Sequence, residues 1–174
     1  MQPKKITIIL PIILLGLLAN EVNAQVKQNR LRNTLTGADS CLDILNDGQN
    51  NRLIMAKCAN VGGQRWSMTA SEKNPQAYQL QTPFTGMDKC LNIINDGENN
   101  KVTMAKCDSL PGQLWIVTPS KTIPGNSGYY FVTNMLTGAS NCLNVLNDGR
   151  NNRLTMVKCD NISGQSWRIT RTPQ

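Results

Sequence analysis

The chain has 174 residues, of which 17% are charged and 5% aromatic, with six cysteines, no histidine and a formal net charge of +7. The absence of histidine removes the commonest general base and a frequent zinc ligand, so neither acid–base catalysis nor a metal site is expected. The basic residues are scattered rather than grouped in runs, which favours a solvated surface over nucleic-acid binding. No cofactor is expected.

The first 24 residues are typical of a secretory signal peptide. Lys4 and Lys5 precede the apolar run ITIILPIILLGLLA, and Val22 and Ala24 stand at the spacing of a cleavage site. A membrane anchor is the alternative, but this run is shorter than the roughly 20 residues of a spanning helix. We therefore expect residues 1–24 to be removed and residues 25–174 to form one domain without a membrane span, in an extracellular or periplasmic location.

Three copies of one unit fill residues 25–174. The segment CLDILNDGQNNRLIMAKC begins at Cys41 and recurs as CLNIINDGENNKVTMAKC from Cys90 and CLNVLNDGRNNRLTMVKC from Cys142. Ten of the 18 positions are identical in all three copies. The repeats cover about residues 27–73, 76–122 and 127–172, and they leave no room for a separate catalytic domain.

Each repeat is predicted to form four short strands. The segments RLRNTLTG, YQLQTPFTG and YFVTNMLTG alternate between apolar and polar residues. The residues predicted to face inward are Leu31, Leu35, Leu80, Phe84, Val132 and Leu136. Two further strands flank the NDGxNN turn, and a fourth follows it. Three units are too few for a propeller, which needs about four to eight blades. Their closure around one axis predicts an all-β fold, a β-trefoil with pseudo-threefold symmetry.

The six cysteines predict one disulfide within each repeat. Their spacing is 17 residues in every copy. Only one connectivity gives three equivalent units three equivalent bonds, and that connectivity joins Cys41 to Cys58, Cys90 to Cys107 and Cys142 to Cys159. Metal ligation is the alternative, but the sequence has no CxxC pair and no histidine. Disulfides also agree with a secreted chain.

All three tryptophans of the chain stand two residues after a glutamine, in Gln64-Arg65-Trp66, Gln113-Leu114-Trp115 and Gln165-Ser166-Trp167. A Gln-x-Trp motif near the end of each of three repeats, behind a cysteine pair, resembles the ricin B-chain lectin family. That family includes carbohydrate-binding modules attached to xylanases. The resemblance covers residues 25–174. It implies that Trp66, Trp115 and Trp167 pack in the trefoil interior and that the three glutamine amides bond to the backbone of their own repeats.

The resemblance also implies a sugar-binding carboxylate two residues after the first cysteine of each repeat. The chain has Asp43, Asn92 and Asn144 at these positions. Only Asp43 is acidic, so the first repeat is expected to hold the best-preserved site. The stacking aromatic of the family is replaced by Ala56, Ala105 and Val157, and the asparagine before the glutamine is replaced by Gly63, Gly112 and Gly164. Weak binding is expected unless another ring takes over the stacking.

Two further groups are candidate contacts to a ligand. Tyr129 and Phe131 fall on the face opposite to Tyr130, where they either meet a ligand or pack against the preceding loop. The repeated NDGxNN turn carries the asparagines Asn51, Asn100 and Asn152. A functional interpretation has them rimming three equivalent shallow pockets. The structural interpretation, which is favoured, is that these asparagines are turn residues that adopt left-handed conformations or bond to the backbone.

The sequence therefore predicts a secreted, non-catalytic carbohydrate-binding protein with up to three weak, equivalent sites for a glycan or polysaccharide. Several weak sites on one chain would raise its avidity. The alternative is a trefoil scaffold that has lost sugar binding and recognises a protein partner, as an inhibitor or a toxin-associated module. A hydrolase with paired carboxylates is disfavoured because the acidic residues are scattered and Asp47 and its equivalents belong to turns.

Overall fold

The computed structural model describes residues 27–120, 128–150 and 152–172. The predicted signal peptide lies outside these ranges. None of the described segments forms a helix that is long and apolar enough to cross a membrane.

The regular structure of the described residues is β-strand apart from three 3₁₀ turns, one before each Gln-x-Trp tryptophan. The turns are Gly62–Gln64, Pro111–Gln113 and Ser163–Gln165. The strands are β1 Gln28–Asn33, β2 Ser40–Ile44, β3 Leu53–Lys57, β4 Trp66–Ala70, β5 Tyr78–Gln81, β6 Lys89–Ile93, β7 Val102–Lys106, β8 Trp115–Pro119, β9 Tyr129–Asn134, β10 Gly138–Val145, β11 Leu154–Lys158 and β12 Trp167–Arg171.

Six strands, two from each repeat, close into an antiparallel barrel in the order β1, β4, β5, β8, β9 and β12. The last strand completes the ring because β12 pairs with both β1 and β9. Its pairing with β1 runs from Asn29 opposite Arg171 to Asn33 opposite Trp167. Because the barrel of described strands is closed, its strands leave no unpaired edge that could associate with another chain.

Three hairpins, β2–β3, β6–β7 and β10–β11, contact one another around the pseudo-threefold axis. Each hairpin is joined to the next by a backbone hydrogen bond from a methionine N–H to an asparagine carbonyl oxygen. The pairs are Met104 to Asn51 (3.0 Å), Met156 to Asn100 (3.2 Å) and Met55 to Asn152 (3.0 Å). This cyclic arrangement of three repeats confirms the predicted β-trefoil.

The tryptophans form the centre of the core. Trp66, Trp115 and Trp167 are each 0% exposed. Their indole N–H groups donate to the carbonyl oxygens of Leu42, Leu91 and Leu143 at 3.0, 2.8 and 2.8 Å. A buried indole N–H needs such a partner, because an unsatisfied donor would cost about 1–3 kcal/mol.

One prediction about the core is wrong. Leu31, Leu80 and Val132 are buried as expected, but Phe84 is 36% exposed. The alternation stops because β5 ends at Gln81 and the chain turns across a bridge between Thr82 and Gly86. The equivalent residues Leu35 and Leu136 are partly buried against the core.

The three predicted disulfides are confirmed. They join Cys41 to Cys58, Cys90 to Cys107 and Cys142 to Cys159. In each repeat the bond links the second strand to the residue just after the third strand, so it ties down the base of one hairpin.

Candidate functional site

A cleft of about 260 Å³ opens beside Asp43, at the boundary between the first and second repeats. Its lining residues are Asp43, Ile44, Asn46, Val61, Gly63 and Phe84. The carboxylate comes from β2, Gly63 from the following 3₁₀ turn, and Phe84 from the second repeat. The volume lies just below the roughly 300 Å³ at which pockets for drug-sized ligands begin, so the cleft suits a small ligand.

The carboxylate of Asp43 is held by two hydrogen bonds. Its Oδ1 accepts from the backbone N–H of Ile44 at 2.7 Å, and its Oδ2 accepts from Nε2 of Gln64 at 2.8 Å. The amide of Gln64 is fixed in turn, because it donates to the carbonyl oxygen of Lys57 at 3.0 Å and accepts from the N–H of Ala59 at 2.7 Å. A carboxylate has about four acceptor positions, so Asp43 keeps capacity for a ligand.

The bond between Gln64 and Asp43 was not foreseen from the sequence. It joins the Gln-x-Trp motif to the candidate site, two features that are 21 residues apart. The glutamine is present in every repeat but the aspartate in only one, so no repeated pattern indicates the pairing. In the other repeats the structure shows the backbone bonds alone, from Gln113 to the carbonyl oxygen of Lys106 and from Gln165 to that of Lys158.

Gly63 explains one departure from the family pattern. A Cβ atom at this position would collide with Oδ1 of Asp43, and it would lie 3.2 Å from the backbone nitrogen of Ile44. The same restriction applies at Gly112, where a Cβ would lie 3.0 Å from Oδ1 of Asn92. Glycine is therefore required because the 3₁₀ turn approaches the polar side chain closely.

Phe84 supplies an aromatic side chain to the first cleft. Phe84 packs against the 3₁₀ turn, since a Cβ atom at Gly62 would lie 3.3 Å from Cβ and 3.4 Å from the backbone nitrogen of Phe84. The equivalent residue of the third repeat is Leu136, which lines the second cleft. That of the first repeat is Leu35. The threefold repetition therefore places a ring at only one of the three equivalent positions.

The second and third repeats have weaker versions of this arrangement. The second cleft, of about 280 Å³, contains the neutral Asn92 together with Leu110, Pro111 and Leu136. In the third repeat Asn144 is 5% exposed, and its Oδ1 has no hydrogen-bond partner among the described residues. The three predicted positions are thus not equivalent in charge or in exposure.

The candidate asparagines of the NDGxNN turns lie elsewhere. Asn51, Asn100 and Asn152 stand at the junctions between hairpins, where their carbonyl oxygens accept the hydrogen bonds described above. They do not belong to the lining of either cleft. The left-handed conformation falls on the preceding residue, Asn50 or Asn99, each with a φ of 53°.

The carboxyl groups with lowered pKa values also belong to the hairpins. The N–H of Asn50 and then the guanidinium of Arg52 lower the pKa of Asp47. The ammonium of Lys101 and then the N–H of Asn99 lower the pKa of Asp96. These shifts arise from turn capping and exposed ion pairs, and we do not take them as a sign of catalysis.

Solved structures with this fold share little sequence with the chain. A mosquitocidal holotoxin superposes with a TM-score of 0.70 at 19% identity, over 86% of this chain and only 18% of the toxin chain. The Macrolepiota procera ricin B-like lectin in complex with lactose superposes with a TM-score of 0.65 at 14% identity, over 84% of this chain and 96% of the lectin chain. SeviL bound to asialo-GM1 saccharide superposes with a TM-score of 0.63 at 18% identity, over 85% of this chain and 99% of the SeviL chain.

Comparison by sequence is more specific. No curated protein is similar enough to count as a relative. The family model of the ricin-type beta-trefoil lectin domain matches residues 27–129, which is more than half of the chain. The matched range contains the first two Gln-x-Trp motifs, and the third repeat carries the same motif at Gln165-Ser166-Trp167. The chain therefore belongs to the ricin-type β-trefoil lectin domain family.

Proposed function

We propose that the protein is a secreted, non-catalytic carbohydrate-binding protein whose principal sugar site is the cleft of Asp43 and Phe84. Membership of a lectin family supports binding of glycans. Two proteins with this fold, the Macrolepiota procera lectin and SeviL, have been solved with saccharides bound. The three disulfides support a route through an oxidising compartment.

One observation carries the proposal: a fixed carboxylate and an exposed aromatic side chain share one cleft. A sugar ring presents an apolar face that stacks on an aromatic ring, and hydroxyl groups that donate to a carboxylate. Ile44 and Gln64 already hold the carboxylate of Asp43, at 2.7 and 2.8 Å. Little side-chain ordering is then needed when the ligand binds, which favours affinity.

The sites of the three repeats are expected to differ in strength. A charged acceptor makes a stronger hydrogen bond than an amide, so Asn92 gives the second cleft less affinity than Asp43 gives the first. Asn144 presents little surface to a ligand because it is 5% exposed. We expect monovalent binding at the first cleft in the millimolar range, about −4 kcal/mol.

A multivalent glycan array followed by calorimetric titration of the selected neutral glycan tests the proposal. Asp43→Ala should weaken binding by roughly ten- to a hundredfold, because a hydrogen bond to a charged group contributes about 1.5–3 kcal/mol. Phe84→Leu should weaken it by roughly three- to tenfold, since an aromatic contact contributes about 0.5–1.5 kcal/mol beyond its area. Leucine is a mild replacement because the other two repeats carry it.

The second repeat provides matched controls. Asn92→Ala should leave the principal site unchanged, whereas Asn92→Asp combined with Leu136→Phe should add a second site by reproducing the first. Equal losses for Asp43→Ala and Asn92→Ala would contradict a principal site in the first repeat. No loss for Asp43→Ala would place sugar binding elsewhere on the molecule.

A protein-binding scaffold is the second candidate function. Val61, Leu110 and Ile162 occupy equivalent positions of the three repeats and are 43%, 59% and 45% exposed. Apolar side chains repeated on a surface favour contact with a protein. If no glycan on a multivalent array binds, this candidate replaces the carbohydrate-binding one.

A further inference from the structure

A separate cleft of about 390 Å³ lies between the first and third repeats. Its polar and aromatic lining includes Arg32, Thr34, Asp39, Tyr129 and Arg168, together with the buried Asn33. The volume falls within the range of about 300–1,000 Å³ that is typical of small-ligand pockets.

Three of these residues form a row across neighbouring strands. Tyr129 on β9 lies directly opposite Arg168 on β12, and Arg168 lies directly opposite Arg32 on β1. Opposite residues of antiparallel strands share one face, with Cβ atoms roughly 4.5–5.5 Å apart. This is the outer face of the barrel, because the adjacent residues Leu31 and Trp167 are 0% exposed.

Among the residues that the structure describes, neither guanidinium group of the row has a carboxylate partner. Within the described ranges the ion pairs join Asp47 to Arg52, Asp96 to Lys101 and Asp148 to Arg153, all in the hairpin turns. Like charges directly opposite each other in a sheet are destabilising. An anion bound between them would remove that repulsion.

The side chain of Arg32 is already held in place at the cleft. Its Nη1 donates to Oγ1 of Thr170 at 2.7 Å, which fixes one edge of the guanidinium. Its Nε is buried and has no partner among the described residues. Arg168 is exposed, so its fork of donors is free to meet a planar acid group in two parallel hydrogen bonds.

We propose that this cleft is a second glycan site, which binds the sulfate or carboxylate of an acidic saccharide. Arg32 and Arg168 bind the acid group, and the ring of Tyr129 stacks on the sugar. Asp39 and Thr34 accept hydrogen bonds from hydroxyl groups. The carboxylate of Asp39 opposes a bare anion or a nucleic-acid strand, so the mixture of charges favours a ligand with both an acid group and hydroxyl donors. The site shares no residue with the Asp43 cleft and does not rest on it.

Calorimetric titration with a chondroitin sulfate tetrasaccharide, which carries sulfates and carboxylates, tests the proposal. Arg168→Gln should weaken binding by roughly ten- to a hundredfold, in line with the loss of a charged hydrogen-bonding group. Arg32→Lys, which keeps the charge but loses the planar fork, should also weaken it. The unsulfated tetrasaccharide identifies which acid group is bound.

Arg150→Gln is the matched control. Arg150 is exposed in the third hairpin turn, and the equivalent residue of the first repeat is already Gln49. The control changes the net charge by the same amount and should leave binding intact. Equal losses for Arg150→Gln and Arg168→Gln would overturn the proposal in favour of diffuse charge attraction. No binding of either tetrasaccharide to the wild-type chain would also overturn it.

Competitors separate this ligand from other anions. Inorganic sulfate or a DNA oligonucleotide that binds as tightly as the tetrasaccharide, with the same dependence on Arg168, would overturn the assignment to a glycan. Asp43→Ala should not alter tetrasaccharide binding, and Arg168→Gln should not alter binding of the neutral glycan. Failure of one site is therefore distinguishable from failure of the other.

Discussion

At Gly63, a single hydrogen atom in place of a side chain allows the carboxylate of Asp43 to remain where Gln64 and Ile44 hold it. The backbone at this glycine has no left-handed conformation, so space and not φ is the restriction. Gly63, which departs from the family pattern, is therefore coupled to Asp43, which preserves it.

Gly63→Ala should lower the free energy of unfolding by about 1–3 kcal/mol, because the added methyl must displace the carboxylate. Gly62→Ala should have a smaller effect, since its Cβ would lie 3.3 Å from Cβ of Phe84. Urea denaturation measures both. In an Asp43→Ala background the effect of Gly63→Ala should shrink, and a double-mutant cycle reports that coupling. Strict additivity would mean that the carboxylate is not what the methyl displaces.

At the scale of single elements, the hairpin turn owes its shape to an aspartate and a glycine. Gly48, Gly97 and Gly149 have φ values of 84°, 88° and 83°, a region that glycine adopts without a steric penalty. Oδ1 of Asp47 accepts from the N–H groups of Gln49 and Asn50, and Oδ2 pairs with Arg52. One carboxylate thus closes the turn and pairs with the strand that leaves it.

The turns should make stability depend on pH in the acid range. The pKa values of Asp47 and Asp96 are lower in the folded chain than the ordinary value. The unfolded chain therefore binds more protons, and the stabilisation is complete above the ordinary pKa of about 3.9 and is lost as the pH falls below it. The double variant Asp47→Asn/Asp96→Asn should lose less stability than the wild type between about pH 5 and pH 2. Urea denaturation across that range gives the two slopes, and identical slopes would contradict this origin.

At the scale of the whole molecule, the disulfides and the barrel stabilise the fold separately. Each bond spans 17 residues inside one repeat. The barrel is held instead by strand pairing within and between repeats and by the three buried tryptophans.

Removal of one disulfide should therefore weaken the protein without unfolding it. Cys90→Ala/Cys107→Ala should lower the free energy of unfolding by about 3 kcal/mol, the value expected for a loop of this size. The melting temperature should fall, while the far-ultraviolet β signal at low temperature should persist. Loss of that signal in the double variant would show that the hairpin bond is needed for the barrel to form.

The fold could be predicted from the sequence because each repeat carries the same set of motifs. The cysteine spacing, the NDGxNN turn and the Gln-x-Trp motif recur three times, so one copy supports the interpretation of the others. The clefts were harder to predict from the sequence, because each is lined by residues from two repeats. Phe84 meets Asp43, and Tyr129 meets Arg32, only after the barrel closes. The alternating pattern predicted that Phe84 faces inward, because the pattern does not show that β5 ends at Gln81.

The pairing of the first strand with the last has a consequence for synthesis of the chain. Arg32 bonds to Thr170 across 138 residues, and β12 is the only strand that joins β1 to β9 among the described segments. The barrel cannot close until translation has produced the final strand, and contacts so distant in sequence make folding slow. A nascent or truncated chain without β12 exposes two unpaired strand edges, which are templates for association with other chains. Before β12 pairs, the chain is therefore expected to be more prone to association than it is after the barrel has closed.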